Sequence, residues 1–278
     1  MGCSDADYKY LQQLVMRYSA NQVDAARIRL FDTRLAPIAK QLGAANLQEF
    51  VGTLQESGML HLQRAVAEAM TINETNFFRD LKPFAMLREI ILPRLIEQRR
   101  GQRRLRIWSA ASSTGQEAYS LAMLIRDSLP EVKDWDIRVI GTDVAQHVVE
   151  AAQSGCFRRI EVNRGLPARM LLKYFERDGE VWRISPEIQA MCEFRQANLA
   201  GVLPALPQFD LTLLRNVLLY FNRADRTRVL TRVHSMLRDD GYLMLGSAEQ
   251  AEEFSDQFAV EFNASGFIYR PVHHAYAS

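Results

Sequence analysis

The chain has 278 residues, a formal net charge of +1 at pH 7, 48% hydrophobic residues and 24% charged residues. These values are typical of a globular protein with one large domain or two smaller ones, and they give no global attraction to nucleic acid or to a membrane surface. The three cysteines have neither the spacing of a zinc site nor that of a disulfide framework. We therefore expect no metal site. No apolar run is long enough to span a bilayer, and cysteines outside a disulfide framework fit a cytoplasmic protein.

The first part of the chain has the period of amphipathic helices. Apolar residues recur three and four positions apart from residue 8 to residue 75. The clearest stripe consists of Ile28, Phe31, Leu35, Ile38 and Leu42. We therefore predict an all-helical N-terminal domain over residues 1–75, followed by a further helix over 81–98.

Beyond residue 104, short apolar segments alternate with helical ones. Five strands are predicted, at 105–110, 137–142, 192–196, 210–214 and 241–246. Helices with good 3.6-residue periodicity are predicted at 116–129 and 225–238. This alternation predicts an α/β fold, a doubly wound and mainly parallel sheet of Rossmann-like type, within a domain over 76–278.

Two additions to this sheet are predicted. Residues 258–262 and 266–270 are expected to form an antiparallel closing pair of strands, which is common in methyltransferase sheets. Residues 155–192 form a segment too long for a normal crossover, and it contains Asp178-Gly179 between alternating residues. We predict a small β-subdomain inserted there, with a hairpin that turns at Asp178-Gly179.

The ends of the first two strands indicate a nucleoside site. The first strand runs into small residues and Gly115, which lets the backbone approach a ligand closely. The second strand ends at Asp143, where a carboxylate is placed to accept both hydroxyls of a ribose. Glu117 would repel a phosphate but suits an ammonium group, and this favours S-adenosylmethionine. On these residues alone, a nucleotide site and a purely structural βαβ unit stay open.

Polar residues also follow two later strands. Arg215 and Asn216 come directly after four apolar residues, where the carboxyl end of a parallel strand lines the ligand crevice. A surface ion pair for Arg215 and a helix cap for Asn216 are the structural alternative. Asn198 and Leu199 follow the third strand in the same way, and they offer an amide and a backbone N–H to an adenine edge.

A polar and aromatic segment lies before the sheet. Residues 73–80 read Asn-Glu-Thr-Asn-Phe-Phe-Arg-Asp. Phe77 and Phe78 are either part of a lid or ordinary core contacts. Arg79 is suited to neutralise and orient an acidic substrate through a bidentate hydrogen bond.

Four motifs occur in order along the chain: Thr75-x-Phe-Phe-Arg79, Ser109-Ala-Ala-Ser-Ser-Thr-Gly-Gln-Glu-Ala-Tyr-Ser120, Arg215-Asn-Val-Leu-Leu-Tyr-Phe221 and Gly241-Tyr-Leu-Met-Leu-Gly-Ser-Ala-Glu249. Together they resemble the CheR-type chemoreceptor glutamate O-methyltransferases over nearly the whole chain. The resemblance implies S-adenosylmethionine as donor, with S-adenosylhomocysteine as product. It also implies, as acceptor, glutamate side chains in the helical cytoplasmic domain of a chemoreceptor.

The resemblance also implies roles for individual residues. Tyr220 and Arg79 match catalytic positions. The implied donor contacts, beside Gly115 from the loop pattern, are Asn73, Thr75, Arg79, Glu117, Asp143, Asn198, Leu199, Arg215 and Asn216. A helix from Arg27 to Gly43 is implied to face the receptor through Arg27, Arg29, Arg34 and Lys40. Because members that tether to a receptor C-terminal peptide have a longer hairpin turn, we expect no tethering here. We also expect a monomer.

Two other functions share the donor-binding half of the pattern. A methyltransferase of adenine in DNA usually carries prolines before the aromatic residue of its active-site loop, and the stretch from Asn216 to Tyr220 has none. The basic cluster at 99–106 lies in a connector, where charge is usually only solvated. A non-catalytic module that senses the donor would not need Arg79 and Tyr220.

Overall fold

The computed structural model describes residues 3–250, 256–263 and 266–272. The chain divides into two compact units. The N-terminal unit contains residues 1–72 and 220–226, and the sheet unit contains residues 73–219 and 227–278. Residues 220–226, which the sequence analysis placed in the second domain, therefore group with the first unit.

The N-terminal unit is helical. Its helices are α1 (Asp5–Ser19), a 3₁₀ turn (Ala25–Arg27), α2 (Leu30–Gln41), α3 (Leu47–Gln55) and α4 (Leu60–Ala69). Their apolar faces meet in one core, with Leu11, Phe31 and Phe50 fully buried. The side chain of Asn46 caps α3 by accepting the N–H of Glu49 at 2.9 Å.

The helix predicted from Arg27 to Gly43 is shorter in the structure. Because Arg27 ends a 3₁₀ turn and Arg29 precedes the first residue of α2, neither lies within the helix. Asp24 caps the 3₁₀ turn by accepting the N–H of Arg27 at 3.0 Å, and Ile28 donates to the carbonyl of Ala25, so the chain forms a separate 3₁₀ turn before α2 begins. The expected placement of Arg27 and Arg29 within this helix is therefore wrong.

The sheet unit holds a large sheet, a small one and the helices between their strands. The helices are α5 (Leu81–Met86), a π-helical turn (Leu87–Ile91), α6 (Leu92–Arg99), α7 (Gln116–Ser128), α8 (Gln146–Ser154), α9 (Arg159–Val162), α10 (Ala168–Tyr174) and α11 (Pro186–Gln189), and α12 (Arg223–Met236) starts in the N-terminal unit. The strands are β1 (Arg104–Ala110), β2 (Asp136–Asp143), β3 (Cys156–Arg158), β4 (Phe175–Asp178), β5 (Val181–Ile184), β6 (Cys192–Gln196), β7 (Phe209–Leu214), β8 (Leu237–Leu245), β9 (Phe258–Asn263) and β10 (Gly266–Pro271).

The large sheet has the strand order β6-β2-β1-β7-β8-β10-β9. Its first five strands run parallel, while β10 runs antiparallel to β8 and β9 antiparallel to β10. The predicted Rossmann-like sheet with an antiparallel closing pair is confirmed. Since the chain moves from β1 to β2 on one side and later to β7 on the other, the topological switch lies between β1 and β7. Ligands of such sheets bind at the carboxyl ends of the strands beside this point.

Two predicted elements of the sheet unit differ from the structure. The single helix predicted over 81–98 contains a π-helical turn, because Pro93 has no N–H to continue the α-helical ladder. The last parallel strand begins at Leu237 rather than at 241, with an irregular register where it meets the start of β7.

The inserted β-subdomain is present as a three-stranded sheet of order β3-β5-β4. Its hairpin loop consists of Gly179 and Glu180, since Asp178 pairs directly with Val181. The predicted turn was therefore displaced by one residue, but the loop still has only two residues. No helix in the described part of the chain is long and apolar enough to cross a membrane.

Candidate active site at the carboxyl edge of the sheet

The loop between β1 and α7 starts the candidate site. Gly115 has φ +92° and directly precedes α7, a conformation that side-chain-bearing residues rarely adopt. A Cβ at this position would lie 3.0 Å from side-chain atoms of Ala152 and Phe194. Only glycine therefore lets the loop pass this close to α8 and β6.

Asp143, the last residue of β2, is the central acceptor of this loop. One of its carboxylate oxygens accepts the N–H of Ser113 at 2.9 Å, and the other accepts the N–H of Ala145 at 3.1 Å. The hydroxyl of Ser113 in turn donates to the carbonyl of Asn73 at 2.8 Å. Ser113 thus joins the ends of two strands to the segment that begins at residue 73.

Asp143 is also an acid in an unfavourable environment for its charge. Burial raises the pKa of its carboxyl above the ordinary value, although the N–H groups of Ala145, Ser113 and Val144 partly oppose this. Additional hydroxyl donors would relieve this desolvation. Such a residue at the end of the second strand fits the expected ribose acceptor.

Arg215 directly follows β7, and its side chain contacts residues on the other side of the topological switch. Its side chain is 1% exposed and donates to Glu117 at 2.8 Å, to Asp80 at 2.9 Å and to the carbonyl of Arg79 at 2.8 Å. The structural alternative for Arg215 is therefore partly right, since it does pair with acids. Those acids are themselves site residues, and the pairing fixes Glu117 in the first turn of α7, where Ser109 also donates to it at 2.8 Å.

The segment 73–80 is anchored from both sides. The N–H of Phe78 donates to the hydroxyl of Ser120 in α7 at 3.0 Å. The guanidinium of Arg79 donates to the carbonyl of Glu74 at 2.9 Å, and Thr75 is half-buried between these contacts. Phe77 is fully buried, with its ring 5.0 Å from that of Phe157. The two aromatic residues are core contacts that hold Arg79 in place.

Backbone strain concentrates at these loops. Seven non-glycine residues of the described chain have a positive φ. Five of them, with φ from 49° to 60°, are Phe78, Asp80, Ala111, Ser113 and Asn216. Conformations of this kind persist where the surrounding contacts enforce them, and they cluster at functional sites.

The loop after β7 depends on Glu249, which was not among the predicted site residues. Asn216 has φ 59°, and its N–H donates to the carboxylate of Glu249 at 2.7 Å. Glu249 was noticed only as the end of the fourth motif. The sequence signal that could have identified it is an acid that follows small residues at the end of a parallel strand. Asp80 and Ser113 were missed because their partners are distant in sequence. Ser109 lies only eight residues from its partner Glu117 and was quoted only as part of a motif.

Asn198 and Leu199 lie beyond β6 at the same edge. The N–H of Ala197 donates to the carbonyl of Asp143 at 2.7 Å, and the side chain of Asn198 accepts the N–H of Ala200 at 2.9 Å. Arg232 of α12 donates to the carbonyl of Leu199 at 2.8 Å. These hydrogen bonds therefore hold the turn after β6 in place beside the carboxyl end of β2.

Tyr220 and the basic residues belong to the N-terminal unit. The guanidinium carbon of Arg27 lies 5.7 Å from the centre of the Tyr220 ring, and the N–H of Gln22 donates to the Tyr220 carbonyl at 3.0 Å. Arg34 is held within the unit, where it donates to the carbonyls of Ala69 and Thr71. Arg29 and Lys40 are exposed.

The chemistry of the carboxyl-edge residues fits S-adenosylmethionine. The desolvated Asp143 suits ribose hydroxyls, and the acid Glu117 suits an ammonium. Two buried polar atoms at this edge, the hydroxyl of Ser112 and Nε of Arg215, have no hydrogen-bond partner among the described residues. Polar atoms of this kind are expected where a polar ligand completes the set.

A model of the CheR methyltransferase SAM-binding domain matches residues 73–267. The chain belongs to the CheR methyltransferase family. It is 34% identical to Chemotaxis protein methyltransferase 1 of Pseudomonas aeruginosa over 97% of this chain and 99% of that protein. It is 35% identical to Chemotaxis protein methyltransferase Cher2 of Pseudomonas putida over 87% and 89%. Membership establishes an S-adenosylmethionine-dependent methyltransferase, in a family whose known activity is protein-glutamate methylation.

Among solved structures, a TehB-like SAM-dependent methyltransferase from Corynebacterium glutamicum is similar, with a TM-score of 0.39 and 15% identity. The similarity covers 64% of this chain and 86% of that one. It is too distant to add to the family assignment.

Proposed function

We propose that this protein transfers methyl groups from S-adenosylmethionine to glutamate side chains in the helical cytoplasmic domain of a chemoreceptor. The observation that carries the proposal is the set of residues at the carboxyl ends of the strands, where Arg215 joins Glu117 to the segment 79–80 and where the buried Asp143 ends β2. The family membership supports the donor, and the names of the relatives support a role in chemotaxis.

Within this proposal, each edge residue holds a part of the donor. Asp143 accepts the ribose hydroxyls, and the turn at Asn198 and Leu199 contacts the adenine. Glu117 faces the ammonium of the methionine part, and Gly115 gives the backbone the room to approach. Donor contacts are completed by Asn73, Thr75, Arg79, Arg215 and Asn216.

The acceptor needs no general base. A glutamate carboxylate has an ordinary pKa of about 4.3 and is already ionised at neutral pH. When bound, S-adenosylmethionine supplies the methyl group, whose bond to sulfur breaks as its bond to the carboxylate oxygen forms. Arg79 and Tyr220 orient the carboxylate, and exclusion of water favours the loss of both charges. Positioning of this kind supplies at most about 7–11 kcal/mol of the barrier.

Receptor docking falls to the N-terminal unit. Of the four basic residues implied, Arg29 and Lys40 present exposed charges that would attract an acidic receptor helix. The contact between Arg27 and the Tyr220 ring places Arg27 beside a proposed catalytic residue. Arg34 donates to the carbonyls of Ala69 and Thr71, so we expect it to contribute more to stability than to docking.

The remaining proposals concern the receptor tether, the location of the protein, its oligomeric state and its partners. The two-residue hairpin loop at Gly179 and Glu180 supports docking without a receptor C-terminal peptide. We further propose that the protein acts as a cytoplasmic monomer without nucleic-acid partners. The near-zero net charge supports this last point.

The test is transfer of labelled methyl from S-adenosylmethionine to a purified receptor cytoplasmic domain. We expect base-labile label on receptor glutamates, with the same rate after removal of the receptor's last residues. Replacement of the labelled glutamates by alanine should abolish incorporation. Label on nucleic acid, or donor binding without any transfer to candidate receptors, would contradict the proposal.

A further inference from the structure

We propose that Glu249 is a positioning residue for the methyl donor, acting through the backbone of Asn216. The inference rests on the proposed function, because it takes Asn216 as a donor contact. In this role Glu249 does not touch the donor. Its carboxylate sets the conformation of the loop that does.

The Glu249 carboxylate is fully committed to this loop. One oxygen accepts the N–H groups of Val217 and Leu218, each at 2.7 Å. The other accepts the N–H of Asn216 at 2.7 Å and that of Gly246 at 2.9 Å. Glu249 is 8% exposed, so four charge-assisted hydrogen bonds are formed away from water.

Three of these donors are successive residues. Successive backbone N–H groups that converge at a turn form a concavity that binds anions. Here the concavity after β7 is filled by a carboxylate of the chain itself. The carboxylate thereby stabilises Asn216 at φ 59°, a conformation that would otherwise be unfavourable.

Gly246 shows how closely the carboxylate is seated. A Cβ at Gly246 would lie 2.6 Å from one Glu249 oxygen and 2.9 Å from the N–H nitrogen of Asn216. The backbone at the end of β8 therefore approaches the loop after β7 with no space for a side chain. Glycine at 246 and the acid at 249 serve the same arrangement, and a change at either residue should disturb Asn216.

The first variant is Glu249→Gln. The amide keeps the size of the side chain but replaces one acceptor oxygen by a donor, so two of the four N–H groups lose their partner. We expect the dissociation constant for S-adenosylhomocysteine, measured by calorimetry, to rise roughly tenfold or more. The KM for S-adenosylmethionine should rise in parallel, with the KM for the receptor unchanged. A merely structural role would lower the amount of active enzyme without moving the donor KM.

Gly246→Ala gives a second route to the same effect, since it displaces the carboxylate without removing it. Two control variants match these changes. Glu261→Gln alters a partly exposed acid of β9 that pairs with Arg94. Gly101→Ala adds a methyl group where no other atom lies within 4 Å. Both controls should leave donor affinity within about twofold.

A double variant isolates the route of action. If Glu249 acts through Asn216, adding Asn216→Gly to Glu249→Gln should weaken donor binding no further than the stronger single change. Folded Glu249→Gln and Gly246→Ala proteins with the donor affinity of the unaltered protein would overturn the inference. That result would leave methyl transfer to glutamate intact. Conversely, unaltered protein that binds donor but methylates no receptor would refute the proposed function alone.

Discussion

Two buried arginines, at opposite edges of the same sheet, show which features mark a functional site. Arg99 at the amino edge donates to Asp210 at 2.5 Å and makes a bidentate contact with Asp240. Arg215 at the carboxyl edge also contacts two acids. Burial and ion pairing are therefore common to both, and they do not by themselves distinguish a site.

The difference lies in what surrounds each pair. Nε and both Nη atoms of Arg99 have acid partners, whereas Nε of Arg215 is buried without a partner among the described residues. Four of the left-handed residues belong to the loops that Arg215 and Asp143 bring together, and Asn216 follows Arg215 directly. Arg99 is thus fully paired, while most of the left-handed residues, together with the partnerless Nε of Arg215, lie at the carboxyl edge.

The largest expected effect is a difference in donor affinity between substitutions at the two ends of β2. Asp143→Asn should weaken S-adenosylhomocysteine binding about 100-fold or more, because the ribose hydroxyls lose a charged acceptor. Asp136→Asn makes the same change at the amino end, where the acid pairs with Arg106 at the surface, and should leave binding unchanged. Calorimetry on both variants measures this. Equal affinities would refute the ribose assignment.

The next largest effect concerns the stability and donor affinity of the Arg99 and Arg215 variants. Arg99→Met leaves Asp210 less well paired and should lower the free energy of unfolding by about 3–5 kcal/mol, with the donor affinity of folded protein unchanged. Arg215→Met should lower both stability and donor affinity. Denaturant unfolding and calorimetry distinguish the outcomes, and a loss of affinity in both variants would contradict the contrast between the edges.

The raised pKa of Asp143 predicts a pH dependence of binding. Its ionised form accepts the ribose hydroxyls, so donor affinity should fall as the pH drops through the raised pKa, about tenfold per pH unit below it. This fall begins at a higher pH than for an ordinary aspartate. The stability contribution of the same carboxyl runs the other way in the ligand-free protein, since it is lost as the pH rises through that pKa. Calorimetry across acidic pH should show the fall, and Asp143→Asn should abolish it.

The smallest effect concerns the basic residues of the N-terminal unit. Arg34→Ala should lower stability by about 1–3 kcal/mol, because two carbonyls lose their donor. Arg29→Ala should leave stability unchanged and raise the receptor KM only a few-fold, with a weaker salt dependence. Thermal unfolding and methylation rates at two salt concentrations check this pair. A receptor KM that changes more with Arg34 than with Arg29 would contradict the assignment.

The sequence was most informative where local patterns decide the structure. The strand ends at Ala110 and Asp143 and the start of α7 at Gln116 follow from apolar runs and from Gly115. The helix predicted from Arg27 begins later because residues 25–27 form a separate 3₁₀ turn, although the apolar period is continuous. The turn at Gly179 was displaced because pairing in the small sheet, rather than the Asp-Gly pair, sets the register.

Contacts between distant segments could not be predicted in this way. Arg215 was expected at the site, but its contacts with Asp80 and the carbonyl of Arg79 cross more than 130 positions. The role of Glu249 depends on N–H groups more than 30 residues away, in a conformation that no residue type demands. Such contacts follow from the strand order, which brings the ends of β7 and β8 together.

Hydrogen–deuterium exchange with and without S-adenosylhomocysteine compares the two edges in a single experiment. We expect protection at the carboxyl edge, in the segments 111–117, 143–145, 197–199 and 215–218. The amino edge, at 99–106 and 238–241, should exchange at the same rate in both samples. Protection confined to the amino edge, or none at the carboxyl edge at saturating ligand, would show that the donor site has been placed wrongly.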